Sequence, residues 1–431
     1  MSKTAIKSAN PLRQVSRVLR ELKTRHQERH QPTGFGFVLA DRIDYLDARR
    51  WDEVTAGQSV YLRREILRVV ENHGPENIQP RYAIIFRGEK PVAALAAQLV
   101  TVTGGKFGRA ENAAPAKRSL LRRALTPAAK EAGKQLREKM LVAGNLLSWG
   151  FHGIAFSPGE DHAAVWPGIA EALYRMRRSE RLAGQTDFVM VKDLTDRQTG
   201  LEALRRFSYR PLETEPNMVL TLNPAWKNYD DYLAALDAKY RRNAKDQAKK
   251  LAAAGCVVEP IADLSVHAER LHELYLAVHD NSPVRLVTLP ATYLPALAAA
   301  AGENFRCSVI RQNERILGFI TTLRDGETAI GYYIGFDRAA AAEGLPIYLR
   351  LLHTTIADAI AWRCHKLSLG RSALEPKAAL GAKPEAMSVW LRHRVPAMNW
   401  MMRNLLSAVP HHEAPERNPF KTVAPAETGP G

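Results

Sequence analysis

Cysteine is scarce. The three in the chain, Cys256, Cys307 and Cys364, lie far apart and never at CxxC spacing, which argues against a disulfide framework or a cysteine zinc site and points to a reducing compartment, the cytoplasm. Long apolar runs are missing as well. The charge-free stretch Leu286 to Gly302 is interrupted by Pro290 and Pro295 and is too short and broken to cross a bilayer. No GxSxG elbow, HExxH pair or GxxxxGKS/T loop occurs, so hydrolase, zinc-protease and NTPase chemistry have no motif behind them. Acidic residues are in deficit. Against 61 Lys and Arg stand 45 Asp and Glu, a net charge of +16, which implies anionic partners: CoA phosphates, tRNA or an acidic membrane surface. The first thirty residues are basic without an apolar core and do not read as a secretory signal peptide.

What the chain has in quantity is apolar side chain, 46% of residues against 25% charged, the balance of a globular protein. A length of 431 residues is expected to divide into two domains with tails. The organising stretch is Asn228 to Cys256. Leu233, Leu236, Tyr240, Ala244, Ala248 and Leu251 recur at helical spacing, while Arg241, Lys245 and Lys249 stand four apart on the opposite face. Two readings of that basic stripe stand: a solvated face, or a landing surface for phosphates. Gly255 ends the helix and CVVEPI begins a strand.

Taken in order, residues 1–40 read as a basic N-terminal arm. SVYLRREILRVVENHG predicts a helix, YAIIFRG and PVAALAAQLVTV two strands turning at Gly88. Residues 103–139, rich in Ala, Gly, Lys and Arg, form an inserted helical arm or a mobile loop. NLLSWGFHGIAFSPGEDH reads as a strand with a turn at its end, VWPGIAEALYRMRRSERLAG as a helix and FVMVKDL as a strand. The second half repeats the scheme: HAERLHELYLAVHDN a helix, three strands joined at Asn-Glu and Asp-Gly turns, LPIYLRLLHTTIADAIAWRC a long helix and HKLSLGR a strand. The Pro-rich tail is expected to be disordered.

PAWKNYDDYLAALDAKYRRNAKDQAKKL resembles the segment joining the two halves of FemAB-like proteins, relatives of the GNAT acyltransferases in which two GNAT-type domains share one chain. LSLGRSALEPKAALGAKPEAMSVWL resembles the end of BioF-like acetyltransferase domains, where a strand ending in Gly leads to a Lys and a Leu-Gly-Ala: here Gly370, Arg371, Ser372, Lys377 and Leu380-Gly381-Ala382. The resemblance covers about residues 40 to 405 and leaves 103–139 unmatched. It implies an α/β fold of tandem GNAT-like mixed-sheet domains with helices on both faces. The first domain would span 41–222, the second, with the acyl-donor site, 223–405, and a disordered tail 406–431.

The resemblance also places a donor loop. In GNAT domains the helix after a strand and loop binds the pyrophosphate of an acyl-CoA at its N-terminal amides, and the equivalent here is GYYIGFDRAAAAEGLPIYLRLL, with Gly335, Gly344 and Leu345. It departs from the family's Gln/Arg-x-x-Gly-x-Gly/Ala pattern, since only Gly344 precedes the helix. Arg241, Lys245 and Arg371 are expected to hold donor phosphates. Candidate catalytic groups are Tyr333, His279 beside Asp280, and Lys377; strand alternation is expected to put only one of Tyr332 and Tyr333 on the active face. Trp149, His152, Glu160, Tyr240 and Asn281 are candidates for the acceptor side.

Direct attack of an amine on a thioester needs a neutral amine, a polarised carbonyl and a proton for the leaving group, with no covalent nucleophile. The resulting expectation is a cytoplasmic N-acyltransferase using an acyl thioester, acyl-CoA or acyl carrier protein, as co-substrate, with no permanently bound cofactor and no metal. Two alternatives stand beside it: aminoacyl transfer from tRNA onto a peptide, lipid or cell-wall precursor, and a non-catalytic nucleic-acid- or membrane-binding relative.

Overall fold

Turn chemistry sets out the strands. Gly88, Asn313 and Gly326 take left-handed backbone, φ 61°, 52° and 58°, and each closes a hairpin. The computed structural model describes residues 31–103, 137–281, 285–395, 398–399, 415 and 417–421. In the first half these form β1 (Gly36–Ala40), α1 (Ala48–Thr55), α2 (Arg64–His73), β2 (Ile78–Arg87), β3 (Lys90–Thr103), β4 (Arg137–Ala143), β5 (Ile154–Phe156), α3 (His162–Ser179), β6 (Phe188–Leu194), α4 (Glu202–Arg206) and β7 (Arg210–Thr221). The second half gives α5 (Tyr229–Ala235), α6 (Ala238–Ala253), β8 (Cys256–Ile261), α7 (Ala268–His279), α8 (Tyr293–Ala301), β9 (Phe305–Gln312), β10 (Arg315–Asp325) and β11 (Thr328–Phe336). It closes with α9 (Arg338–Ala342), α10 (Ile347–Ala361), β12 (Lys366–Ser368), α11 (Leu374–Ala379) and β13 (Lys383–His393).

All thirteen strands join one mixed sheet, in the order β1-β2-β3-β4-β6-β13-β7-β12-β11-β10-β9-β8, with β5 on β3. The order shows two copies of one fold. In each, four antiparallel strands lead through a helical crossover to a fifth parallel to the fourth, β4 with β6 and β11 with β12. The last strand of each half then crosses over: β13 pairs with β6 of the first half, and β7 with β12 of the second. These are two related mixed-sheet halves that exchange their final strands.

The cores follow the sheet. One apolar cluster spans both halves, joining Ile66 and Val70 of α2 to Leu271 of α7 and Leu297 of α8. Others lie under α3, under α10 and under α1. Among the described residues no helix is long and apolar enough to cross a membrane.

Several expectations are corrected. β1 lies within the expected N-terminal arm and β4 overlaps the expected 103–139 insertion; residues 1–30 and 104–136 lie outside the described residues. The stretch 145–150 is a turn-rich loop, with only Ile154–Phe156 as strand. The organising helix is two helices, because Leu236 is extended (φ −71°, ψ 147°) and bridges Phe420. That bridge also places residues 417–421 of the expected disordered tail against the fold: the Asp237 amide donates to the Pro419 carbonyl and the Lys421 amide to the Ala235 carbonyl. Phe420 is the anchor, packed on Trp226 and Tyr232 and over Gly381, where any Cβ would lie 2.3 Å from its ring.

Candidate active site

β11 and β12 stay together for three residues only. Thr328, Ala329 and Ile330 pair with Lys366, Leu367 and Ser368, after which the strands part and the facing edge of β11 has no strand partner. On its other edge β11 carries a bulge: Ile320 of β10 pairs with Ile334 and Thr322 with Gly331, so Tyr332 and Tyr333 together face Thr321. The Thr321 hydroxyl fills the ladder there, accepting from the Tyr333 amide at 2.9 Å and donating to the Tyr333 carbonyl at 3.2 Å.

The bulge overturns the expected alternation. The Tyr332 and Tyr333 rings lie on the same side, with centroids 4.5 Å apart at 77°. They belong to a nest of five tyrosines drawn from both halves: Tyr332 shares a hydroxyl hydrogen bond with Tyr293 at 3.0 Å, Tyr61 lies 6.0 Å from Tyr332 and Tyr275 5.6 Å from Tyr333. Burial pushes the hydroxyls of Tyr61, Tyr332 and Tyr333 well above the usual phenol range. They are therefore hydrogen-bond donors or acids at neutral pH, never bases. Tyr333 donates to the Leu147 carbonyl at 3.1 Å.

The loop after β4 reaches across from the first half into this opening. The Trp149 indole donates to Ser368 Oγ at 2.8 Å and its ring covers Gly370, where an added Cβ would approach it to 3.1 Å. Asn217 Oδ1 accepts from both Ser368 Oγ and the Gly370 amide. His152 Nε2 donates to the Trp149 carbonyl at 3.0 Å, and its Nδ1 meets Ser59 Oγ at 2.7 Å, with Asp325 Oδ2 3.4 Å away. Burial lowers the His152 pKa, with Asp325 pulling the other way. This Ser, His and Asp set is no hydrolytic triad, because the nitrogen that an orienting carboxylate would hold is bound to a main-chain carbonyl. Its effect is positional: it ties residues 59, 149 and 152 of the first half to Asp325 of the second.

Asp193, on β6 just past the last residues paired with β4, is fully buried and takes the Lys192 ammonium, the Gly150 amide and the Arg371 guanidinium. Those cations hold its carboxyl below the usual range despite burial. Arg371 sits on the loop Gly370 to Ala373, in which Gly370 (φ 79°) and Ala373 (φ 51°) are both left-handed, a strain a β-carbon residue seldom accepts.

Of the remaining predicted residues, Lys377 follows the Arg371 loop in the chain, His279 lies behind Tyr275, and the others scatter. Lys377 on α11 is 3% exposed; its ammonium has no hydrogen-bond or ion-pair partner among the described residues, and burial brings its pKa down to about 7, with Glu215 opposing. His279 stacks on Tyr275 at 5.0 Å, one ring removed from Tyr333. Asn281 is spent capping α7 through the Ala277 carbonyl. Arg241 donates to the Ala234 and Leu236 carbonyls at the end of α5, while Lys245 is exposed. Gly335 is a packing glycine, since a Cβ there would lie 2.5 Å from the α7 backbone. The amides of Gly344 and Leu345 close the end of α9 on Ala341 and Ala340, and the Lys250 amine lies beside Gly344. Tyr240 lines a separate small pocket between α6, α10 and α11. Glu160 binds Arg87 and Lys90, away from Trp149.

Thus Tyr332, Tyr333, Trp149, His152 and Arg371 converge, while Tyr240, Asn281 and the α6 cations do not. Sequence reading missed Ser59, Lys192, Asp193, Asn217, Thr321 and Asp325. The one available signal was the Lys-Asp doublet closing the apolar strand FVMVKDL.

Residues 238–378 match the family model of the acetyltransferase (GNAT) domain. Similar solved structures include a tandem GNAT protein from the clavulanic acid biosynthesis pathway, 11% identical over 84% of this chain and 99% of that one, at a TM-score of 0.47. FemX is 10% identical over 78% and 96%, TM-score 0.45. The C-terminal domain of an Agrobacterium fabrum protein named as a lysylphosphatidylglycerol synthetase is 11% identical over 83% and 94%, TM-score 0.45. No curated protein matches the sequence. The second half of the chain thus carries an acetyltransferase (GNAT) domain.

Proposed function

We propose that the protein transfers an acyl group from a thioester, acyl-CoA or an acyl carrier protein, to an amine. The observation that carries this reading is the parting of β11 from β12 beside the Tyr332–Tyr333 bulge. An unpartnered strand edge takes an extended, amide-bearing arm as an added strand, and the arm that presents a CoA or carrier thioester is such a group. The amine nitrogen attacks the carbonyl carbon, the C–N bond forms, the C–S bond breaks, and the proton lost by nitrogen balances the one the thiolate gains. Lys377, buried with an unpaired ammonium on α11 directly after the Arg371 loop, is assigned the proton from the amine, and Tyr333 is assigned the proton for the leaving sulfur, on releasing Leu147. Arg371, Trp149 and His152 shape the opening. Three free, buried cysteines support a reducing, cytoplasmic setting.

The basic face of α6 favours a second reading. Lys239, Arg242, Lys245 and Lys249 are exposed and unpaired among the described residues, a surface suited to an aminoacyl-tRNA donor.

Thermal stabilisation by acyl-CoAs of graded length and by bulk tRNA separates the two. A shift with one acyl-CoA class that survives added salt, and amine-dependent thiol release that rises with pH through about 7 and loses that rise in Lys377→Met, are expected. A shift with tRNA alone, fading as salt rises, selects the second reading; no shift with either sinks the donor site.

A further inference from the structure

A large cleft lies away from the opening between β11 and β12. β8 ends at Ile261, opposite Cys307, and the chain turns off through residues 262–265. The end of β9 is thereby left at the sheet margin between α8 and α10, bordering a cleft of about 1050 Å³. None of Trp149, Tyr332, Tyr333, Gly370 or Arg371 lines it. Its volume is at the upper end for small-ligand sites, about 300–1,000 Å³.

The two walls differ in chemistry. On the α8 side, Pro295, Ala298, Ala299 and Gly302 present a smooth apolar surface, continued by Ile261 and Leu264. On the α10 side, Arg350, His353, Thr354 and Asp358 recur at helical spacing. Asp358 is already committed, accepting from Arg306 at 3.1 Å and Thr322 at 2.9 Å. Arg350 is not: it lies over the Tyr229 ring with no carboxylate in ion-pair range among the described residues.

His353 supplies the second donor. It is 3% exposed, and burial holds its pKa down to about 3, so the ring is neutral. The Tyr229 hydroxyl lies 2.9 Å from Nδ1, and Nε2 has no hydrogen-bond partner among the described residues. In the tautomer that accepts from Tyr229 at Nδ1, Nε2 carries a proton that a ligand oxygen can take. A ligand carboxylate supplies that acceptor and the counter-ion that Arg350 lacks.

We propose that this cleft binds a single-chain carboxylate amphiphile, with its head on Arg350 and the His353 N–H and its tail along Pro295, Ala298 and Ala299. The inference does not rest on the acyl-donor reading. Isothermal titration of the full chain with decanoate tests it, with acetate as the head alone, decanol as the tail alone, and octanoate as the shorter homologue. Decanoate is expected to saturate one site and octanoate to bind at least tenfold more weakly, since each buried methylene is worth about fourfold in affinity. Arg350→Gln is expected to weaken decanoate tenfold or more at an unchanged melting temperature, and Ala298→Trp to abolish binding by filling the apolar wall. If Ala298→Trp unfolds, Arg350→Gln decides alone. Absence of saturable decanoate binding, an Arg350→Gln affinity equal to that of the parent chain, or decanol binding as tightly as decanoate would each overturn the proposal.

Discussion

Asp193 combines left-handed backbone at φ 58° with complete burial, and it persists because three donors converge on it. Removing its charge leaves Lys192 and Arg371 facing each other without a counter-ion, and breaking a buried pair in that way costs about 3–5 kcal/mol. Asp193→Asn is therefore expected to lower unfolding free energy by that order in urea titration at neutral pH; a loss under about 1 kcal/mol would mean that the cluster is not a keystone. At this scale the sequence was legible only where a residue sits in a local motif. Lys377, Arg371 and Gly370 were reached through one contiguous run. The partners that give the site its geometry lie 178 residues away for Asp193 and Arg371 and 266 for Ser59 and Asp325, and no spacing rule links positions so far apart.

Among the elements, those with clean periodicity were read directly: α7, α10, β6 and the β9-β10-β11 meander with its two turns. Those missed have their pattern broken. β13 carries a register shift between Glu385 and Met387, which moves its apolar positions from one parity to the other, and its charged start conceals a strand at the centre of the sheet. The same physics hid the Tyr332–Tyr333 bulge, because period-two reasoning assigns adjacent residues to opposite faces. That bulge is held by one hydroxyl. Thr321→Val keeps the shape and removes both hydrogen bonds to Tyr333, so a loss of about 1–3 kcal/mol is expected, with a changed near-ultraviolet circular dichroism from the tyrosine nest. An unaltered spectrum at full stability would show that the bulge is set by ring packing instead.

For the whole molecule, the sequence indicated two related halves but not their exchange of strands. Since β13 completes the edge of β6 and β7 that of β12, each half alone would present an unpaired strand edge where the two halves now join. Residues 1–222 and 223–431 produced separately are expected to be insoluble or to melt without cooperativity, and to recover a cooperative transition when co-expressed; a soluble, cooperatively melting half would contradict this. The exchange also sets a timetable for synthesis. Ser388 reaches Leu194 across 194 residues, so at about 5–20 residues per second a ribosome leaves the β6 edge open for roughly 10–40 s. During that interval the nascent chain carries the sticky margin of a half-built sheet, and chaperone supply rather than final stability governs how much protein a cell recovers.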